Sequence, residues 1–228
     1  MKGASMRLVK SFAVVAVVLL CSVVVLAQDP VKVDPAHYKV LFENASVRVL
    51  SINYAVGATS KMHQHPDSIV VLTSNSKVRF ATADGKSEVQ DMANETATYS
   101  PAGTHNPTNI GTAAMSAILV EFKGAAPGKA ALPASRPGMT LKTLAEGPRA
   151  SAYRSTATAT FAEAAGTKHD FDQVVISLGA AQLSLSIDGK PAKTTWARGD
   201  AQFIGRGVPH EAKNTGGKTV DMVIVAIK

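Results

Sequence analysis

Two clusters of histidine with a similar layout hold five of the six histidines in this chain of 228 residues. In both clusters about 40 residues separate an early histidine from a late one, and an asparagine stands four residues after the late one. Self-similarity at a fixed spacing indicates an internal duplication, so we expect two units of one fold rather than a single large domain. The matching residues are His65, His105 and Asn109 in the first copy and His169, His210 and Asn214 in the second.

The first 27 residues have the composition of a secretory signal peptide. Three basic residues precede an uncharged apolar run at 12–26, and Val25–Ala27 supplies small residues where a signal peptidase would cut. The run of about 16 apolar residues is shorter than the roughly 20 that a helix needs to cross a bilayer, although an uncleaved anchor is the alternative. We therefore expect a mature chain that begins at Gln28 and is periplasmic or secreted.

The mature chain would contain no cysteine, because Cys21 is the only one and lies in the signal segment. A disulfide or a thiolate nucleophile is then excluded, which favours a bacterial envelope over a eukaryotic extracellular fluid. Loss of three basic residues and no acidic residue lowers the formal net charge from +7 to +4. The remaining basic residues are dispersed, so we expect neither nucleic acid nor, after cleavage, a membrane as a partner.

Short strands dominate the hydrophobic pattern. Apolar and polar residues alternate at 47–52, 77–80 and 182–187, while 69–72, 174–176 and 222–226 are more continuously apolar. Asp84-Gly85 and Asp188-Gly189 each follow one of these segments and suit tight hairpins. Because no long amphipathic helix is predicted, the chain is expected to be all-β, as a barrel or a double-sheet jelly roll.

The composition divides the mature chain into two units. Ala, Gly and Pro concentrate between 124 and 151, as in a connecting segment. We therefore predict an N-terminal barrel at 31–124, a linker at 125–150 and a C-terminal barrel at 151–228.

Residues around both histidine clusters carry a family resemblance. In the first copy they are Gly57, 63–65, 101–105 and Asn109, and in the second 165–166, His169, 205–210 and Asn214. They resemble the two conserved motifs of the cupin superfamily, and the second copy is eroded. The chain therefore resembles a secreted bacterial bicupin, which implies two tandem cupin-type jelly-roll β-barrels over nearly all of the mature sequence.

The first cluster has the spacing of a metal site. His63 and His65 lie two residues apart, so on a strand both imidazoles point to the same face. His105 comes from a later strand and would complete a three-nitrogen site for a divalent transition metal, which could be Fe, Ni, Mn, Zn or Cu. The second ring nitrogen of each ligand needs a hydrogen-bond acceptor, which the sequence does not identify.

The first copy departs from the cupin pattern at one position. Cupins usually carry a glutamate four or five residues after the second histidine, where this chain has Ile69 and Val70. Asp67 is the nearest carboxylate, but Pro66 favours a turn there, so we expect a solvated turn residue rather than a ligand. A three-histidine centre resembles those of cupin dioxygenases that act on thiols or β-diketones, and it leaves positions open for substrate and oxygen.

The second copy is weaker. Only two residues separate Gly166 from His169, so the loop is short and one histidine is missing, while Gln173 stands where the glutamate is expected. Two histidines and a glutamine make a poor metal site. We therefore expect His169, Gln173 and His210 to line an inert or substrate-facing pocket, or to be polar relics.

Three further polar residues are predicted to line the two pockets, each with a simpler alternative. The asparagines would otherwise satisfy the backbone of a turn, and the arginine, which could clamp a ligand carboxylate, would otherwise be solvated. They are Asn109, Asn214 and Arg206.

Three functions remain open at this stage. The first is a metal-dependent enzyme that acts on a small molecule, most naturally an oxygenase, with an isomerase or a decarboxylase as variants. The second is a non-catalytic module that binds a small molecule or a sugar. The third is an envelope interaction protein with a vestigial site. A homodimer is also expected, because the open edges of jelly rolls often pair.

Overall fold

The computed structural model describes residues 28–125 and 133–228. The predicted signal peptide at 1–27 lies outside the described residues. Within the described ranges the only helix is α1 (Pro30–Val33), and all other regular elements are strands. The prediction of an all-β chain is therefore confirmed. No helix in these two ranges is long and apolar enough to span a membrane.

Nine strands form the N-terminal unit: β1 (Tyr38–Glu43), β2 (Val47–Tyr54), β3 (His63–His65), β4 (Ser68–Leu72), β5 (Ser76–Ala81), β6 (Ser87–Met92), β7 (Ala97–Ser100), β8 (Gly103–Asn109) and β9 (Met115–Phe122). They make a five-stranded sheet of order β1-β2-β9-β4-β7 and a four-stranded sheet of order β3-β8-β5-β6. Side chains between the two sheets enclose the barrel interior, with Leu50, Leu72 and Leu119 in its core.

Eight strands form the C-terminal unit: β10 (Met139–Glu146), β11 (Ala150–Ala157), β12 (Asp172–Ser177), β13 (Ala181–Ile187), β14 (Lys190–Trp196), β15 (Ala201–Ile204), β16 (His210–Asn214) and β17 (Val220–Ile227). The order β10-β11-β17-β12-β15 of its larger sheet repeats the order of the larger N-terminal sheet. Its smaller sheet, of order β14-β13-β16, contains no counterpart of β3, because the loop before His169 is shorter.

The hairpin predicted at Asp188-Gly189 joins β13 directly to β14. Both residues have positive φ, 52° and 71°, as a type I′ turn requires. Asp84-Gly85 instead lies in a five-residue connection between β5 and β6, where Gly85 alone has positive φ.

The predicted linker at 125–150 requires a correction. β10 lies inside it and pairs with β11 from Met139 to Glu146, so the C-terminal unit begins before residue 151. β10 is an edge strand whose side chains are mostly exposed or half-buried. An edge strand needs backbone partners but few apolar side chains, which is why composition did not reveal it.

The larger sheets of the two units face each other across one continuous core. Val49, Val120 and Phe122 of the first unit and Val174 and Val225 of the second belong to the same buried cluster. The two barrels are therefore held together by apolar contacts of the kind found inside a domain.

Candidate metal centres

The structure brings the three predicted metal ligands together inside the N-terminal barrel. On β3, His63 and His65 point inward and are both buried, and His63 pairs directly with His105 on β8. One ring nitrogen of each histidine lies within 4.8 Å of the others. The short β3 strand exists because the loop after Gly57 is long enough to add it beside β8.

Hydrogen bonds orient two of the three rings. The Nδ1 of His63 lies 2.7 Å from the backbone oxygen of Lys61, and the Nδ1 of His65 lies 2.7 Å from Oε1 of Glu121. In each ring Nδ1 is thus engaged, which leaves Nε2 for a metal. The Nε2 of His63 is 3.0 Å from the Tyr38 hydroxyl.

Glu121 is the hydrogen-bond acceptor for the His65 ring that the sequence did not identify. It lies on β9, is almost fully buried, and accepts a hydrogen bond of 2.6 Å from Nε of Arg48 on its second oxygen. Arg48 is also paired with Asp29. The sequence does contain a signal for this role, because Glu121 is the single carboxylate in the otherwise apolar run 117–122. A carboxylate buried in such a strand needs a specific partner.

The ionisation of the cluster suits a metal. Burial, with a smaller contribution from neighbouring His65, lowers the pKa of His63 to about 4. Burial and the two other imidazoles lower the pKa of His105 to about 3. These rings are therefore neutral at pH 7, which is the state that binds a metal ion. Three imidazoles whose ring nitrogens lie this close together fit a divalent transition metal.

Glu121→Gln should weaken metal binding without removing it. The amide keeps the size of the side chain but cannot hold the His65 ring by a charge-assisted bond, and loss of such support typically costs about 10- to 100-fold in metal affinity. Titration against a competing chelator measures the change. Glu43→Gln, which removes a surface carboxylate paired with Lys123 on the same barrel, is the control and should leave the affinity unchanged. Equal affinities for Glu121→Gln and wild type would contradict the orienting role.

A cavity of about 360 Å³ opens beside this cluster. His65, His105 and Tyr38 form part of its wall, and much of the remainder is apolar, including Leu72 and Phe80. Among the described residues no Asp, Glu, Lys or Arg lines it. Asp67, the nearest carboxylate in sequence, accepts a hydrogen bond from the Ala102 backbone and lies outside the metal-ligand cluster, as expected of a turn residue.

The structure places the other predicted pocket residues away from both cavities. The amide nitrogen of Asn109 donates to the backbone oxygens of Tyr54, Ala55 and Ala113, and Asn214 bonds in the same way to the backbone of the second unit. Both asparagines therefore satisfy turns, which is the simpler of the two roles considered. Arg206 is exposed and lies outside the pocket of its barrel.

The second cluster contains a carboxylate that the sequence analysis missed. His169, Gln173 and His210 line one pocket as expected, but Glu163 joins them. Its Oε2 lies 3.6 Å from Nε2 of His210, and one donor atom from each of Glu163, His169 and His210 lies within 4.8 Å of the others. The second barrel thus contains two histidines and a carboxylate, rather than the weak set expected.

Comparisons with known proteins identify solved structures that share this fold. No protein-family model and no curated protein matches the chain. Among solved structures, AerE from Microcystis aeruginosa is 14% identical, with 89% of this chain and 97% of that chain covered and a TM-score of 0.65. A salicylate 1,2-dioxygenase from Pseudaminobacter salicylatoxidans is 10% identical over 80% of this chain and 71% of that chain, with a TM-score of 0.58.

An oxalate decarboxylase from Lactobacillus farciminis, solved as a formate complex, is 11% identical, with 80% of this chain and 77% of that chain covered and a TM-score of 0.59. These likenesses cover both units and agree with the repeated strand order. The chain therefore has the bicupin fold, with two tandem cupin-type jelly-roll barrels.

Proposed function

We propose that the N-terminal barrel is a metal-dependent oxygenase that acts on a small, neutral and largely apolar organic molecule. The observation that carries this proposal is the three-histidine cluster at the wall of an uncharged cavity of about 360 Å³. A divalent transition metal held by His63, His65 and His105 would supply a Lewis-acidic centre with open positions for oxygen and substrate.

The lining of the cavity favours a neutral substrate. The volume of the cavity falls in the range of roughly 300–1,000 Å³ that is typical of small-molecule sites. A buried carboxylate is costly unless a cation pairs with it, and apart from the proposed metal ion the cavity offers none, because no lysine or arginine among the described residues lines it. Salicylate and oxalate, which the names of two structural neighbours contain, are carboxylates, so the pocket chemistry favours a different substrate class here.

Tyr38 is placed to donate a proton or a hydrogen bond to the reacting molecule. It is buried, and burial raises the pKa of its phenol well above the usual value, so the hydroxyl stays protonated. In the described geometry this hydroxyl lies 3.0 Å from Nε2 of His63. With that nitrogen engaged as a ligand, the hydroxyl would be free to donate to a molecule in the cavity, whose wall Tyr38 forms together with Tyr54.

Oxygen uptake by the metal-loaded protein tests the proposal. A panel of neutral aromatic and aliphatic compounds is assayed alongside the corresponding carboxylates, and the neutral compounds should be consumed faster. Tyr38→Phe should lower kcat by about 100-fold or more, as loss of a general acid does, while keeping its metal. Preference for the carboxylates, or no uptake with any of the five candidate metals, would overturn the assignment.

A second candidate is a module that binds a small molecule without turning it over. The lining of the cavity favours this candidate, because no carboxylate or amine that could transfer a proton is found there among the described residues. The apolar wall suits an apolar ligand better than a sugar. Binding of a neutral ligand to the metal-loaded protein, with no product formed, would support this candidate over the oxygenase.

We also propose that the protein works in the periplasm or outside the cell. The support is the apolar run at 12–26 followed by small residues up to Ala27. Mass spectrometry of the naturally exported protein should find an N-terminus at Gln28, and an intact Met1 in the membrane fraction would refute the export proposal.

A further inference from the structure

We propose that the C-terminal barrel binds a second divalent metal ion through Glu163, His169 and His210, in a pocket too small for an organic substrate. This inference stands apart from the proposed function, because it concerns the other barrel and a different ligand set. It rests on a comparison of backbone positions, on the burial of Glu163 and on the size of the pocket.

Backbone pairing identifies what replaced the missing histidine. In the first barrel His63 pairs with His105, and in the second Thr167 pairs with His210. Since His65 and His169 each lie two residues later, Thr167 stands where His63 would be. The second barrel has therefore lost one imidazole donor at this position.

The carboxylate comes from an unexpected place. The backbone nitrogen of Glu163 donates to the oxygen of Ala212 at 2.8 Å, just as Ser60 donates to Pro107 at 3.0 Å in the first barrel. Each acceptor lies two residues before the turn asparagine, so Glu163 corresponds to Ser60. This position precedes the first histidine of the cluster, whereas the cupin motif places its glutamate after the histidines, at Gln173 in this copy.

Ser60 and Glu163 lie at equivalent backbone positions, but the glutamate side chain is longer. The Ser60 hydroxyl lies 3.2 Å from Nδ1 of His63. The longer side chain at Glu163 extends past this point and brings Oε2 to 3.6 Å from Nε2 of His210. A carboxylate thus occupies the region that the His63 imidazole fills in the first barrel, and the number of metal donors is restored to three.

The burial of Glu163 is a second, independent observation. Its side chain is only 3% exposed. Arg136 pairs with Oε1, while Oε2 faces His210. A divalent ion between Oε2 and the two imidazoles would occupy the lone pairs of Oε2, which Arg136 leaves free in a region where an unsatisfied polar atom is costly.

Gln173 adds a fourth polar group. Its amide nitrogen lies 3.5 Å from Nε2 of His210. The nitrogen and oxygen of a glutamine amide exchange by rotation, so the oxygen can face the same point. Two imidazole nitrogens, one carboxylate oxygen and one amide oxygen form a donor set that suits a divalent transition metal.

The size of the pocket decides the role of this site. Its volume is about 60 Å³, against about 360 Å³ beside the first cluster. The smaller pocket has room for an ion and a few waters but lies well below the roughly 300–1,000 Å³ of small-molecule sites. The large apolar side chains of Trp196, Phe161 and Met222 line this pocket. The second ion would accordingly stabilise the barrel rather than act on a substrate.

Metal content and thermal stability together test this inference. Wild type, Glu163→Gln, His105→Ala and the double variant are loaded with Zn²⁺, Mn²⁺ or Fe²⁺ and analysed by elemental mass spectrometry after desalting. With the best-binding ion, two equivalents are expected in wild type, one in each single variant and none in the double variant. Glu211→Gln, which changes the carboxylate next to His210 outside the pocket, is the matched control and should keep two.

A second measurement guards against misfolding of the variants. In the His105→Ala background only the second site remains, so metal at about 100 times Kd should raise Tm by roughly 5–10 °C. Adding Glu163→Gln to this background should abolish the shift while circular dichroism remains that of a β protein. An unchanged metal content in Glu163→Gln, or an unchanged Tm shift in the double variant, would overturn the second site. Failure of the first site alone would appear differently, as one equivalent in wild type that His105→Ala does not remove.

Discussion

His105→Ala should remove metal from the N-terminal barrel almost completely. A centre with three imidazole ligands cannot lose one without losing much of its affinity, and a small alanine side chain brings no replacement donor. Loss of a residue that only orients a ligand costs up to about 100-fold in metal affinity, so loss of a ligand itself should lower the affinity by more than that. Competition titration with a chelator measures the change, best in the Glu163→Gln background so that the second cluster does not contribute.

His37→Ala is the control for this experiment. His37 lies outside the cluster, where it pairs with Asp34 and stacks on Tyr54. Its removal should leave metal affinity within about twofold of wild type. If the two variants lose metal equally, binding reflects the general histidine content of the chain, and the three-histidine centre is wrong.

Gly147→Ala should destabilise the whole protein by about 2–3 kcal/mol. An added Cβ would lie 2.0 Å from Cδ2 of Tyr99 and 2.3 Å from Cγ of the same ring, which is far inside van der Waals contact. Tyr99 stacks on Phe122, which belongs to the core shared by the two barrels, so the ring cannot move without disturbing that core. For a chain of this size the expected fall in Tm is roughly 5–10 °C.

Denaturant unfolding of two comparison variants checks the cause. Gly179→Ala adds a methyl group where no atom lies within 4 Å and should cost little. Tyr99→Ala combined with Gly147→Ala should cost less than the sum of the two single changes, because the clash is gone. A Gly147→Ala protein as stable as Gly179→Ala would contradict the close approach of the two units.

Local patterns predicted the fold well because they act over short distances. Alternation at 47–52 and 182–187 gave β2 and β13, and the Asp188-Gly189 turn depends only on its own backbone. The spacing of His63 and His65 is also local, and a later strand brought His105 beside them. β10 escaped prediction because an exposed edge strand is specified by its pairing with β11 rather than by its own side chains.

The supporting residues of both sites were not predictable in the same way. Glu121 reaches His65 only through the register of β9 with β4, and Tyr38 reaches His63 from a separate edge strand. Glu163 lies before its cluster, at a position where a motif search does not look for a carboxylate. Such contacts depend on long-range strand register, which one sequence does not specify.

Diffraction at the absorption edge of the bound metal tests the central claim most directly. Crystals of the metal-loaded protein should show an anomalous peak about 2.1 Å from Nε2 of His63, Nε2 of His65 and one ring nitrogen of His105, the usual bond length to an imidazole. An ordered N-terminal barrel with these histidines in place and no peak between them, under metal-replete conditions, would contradict the account.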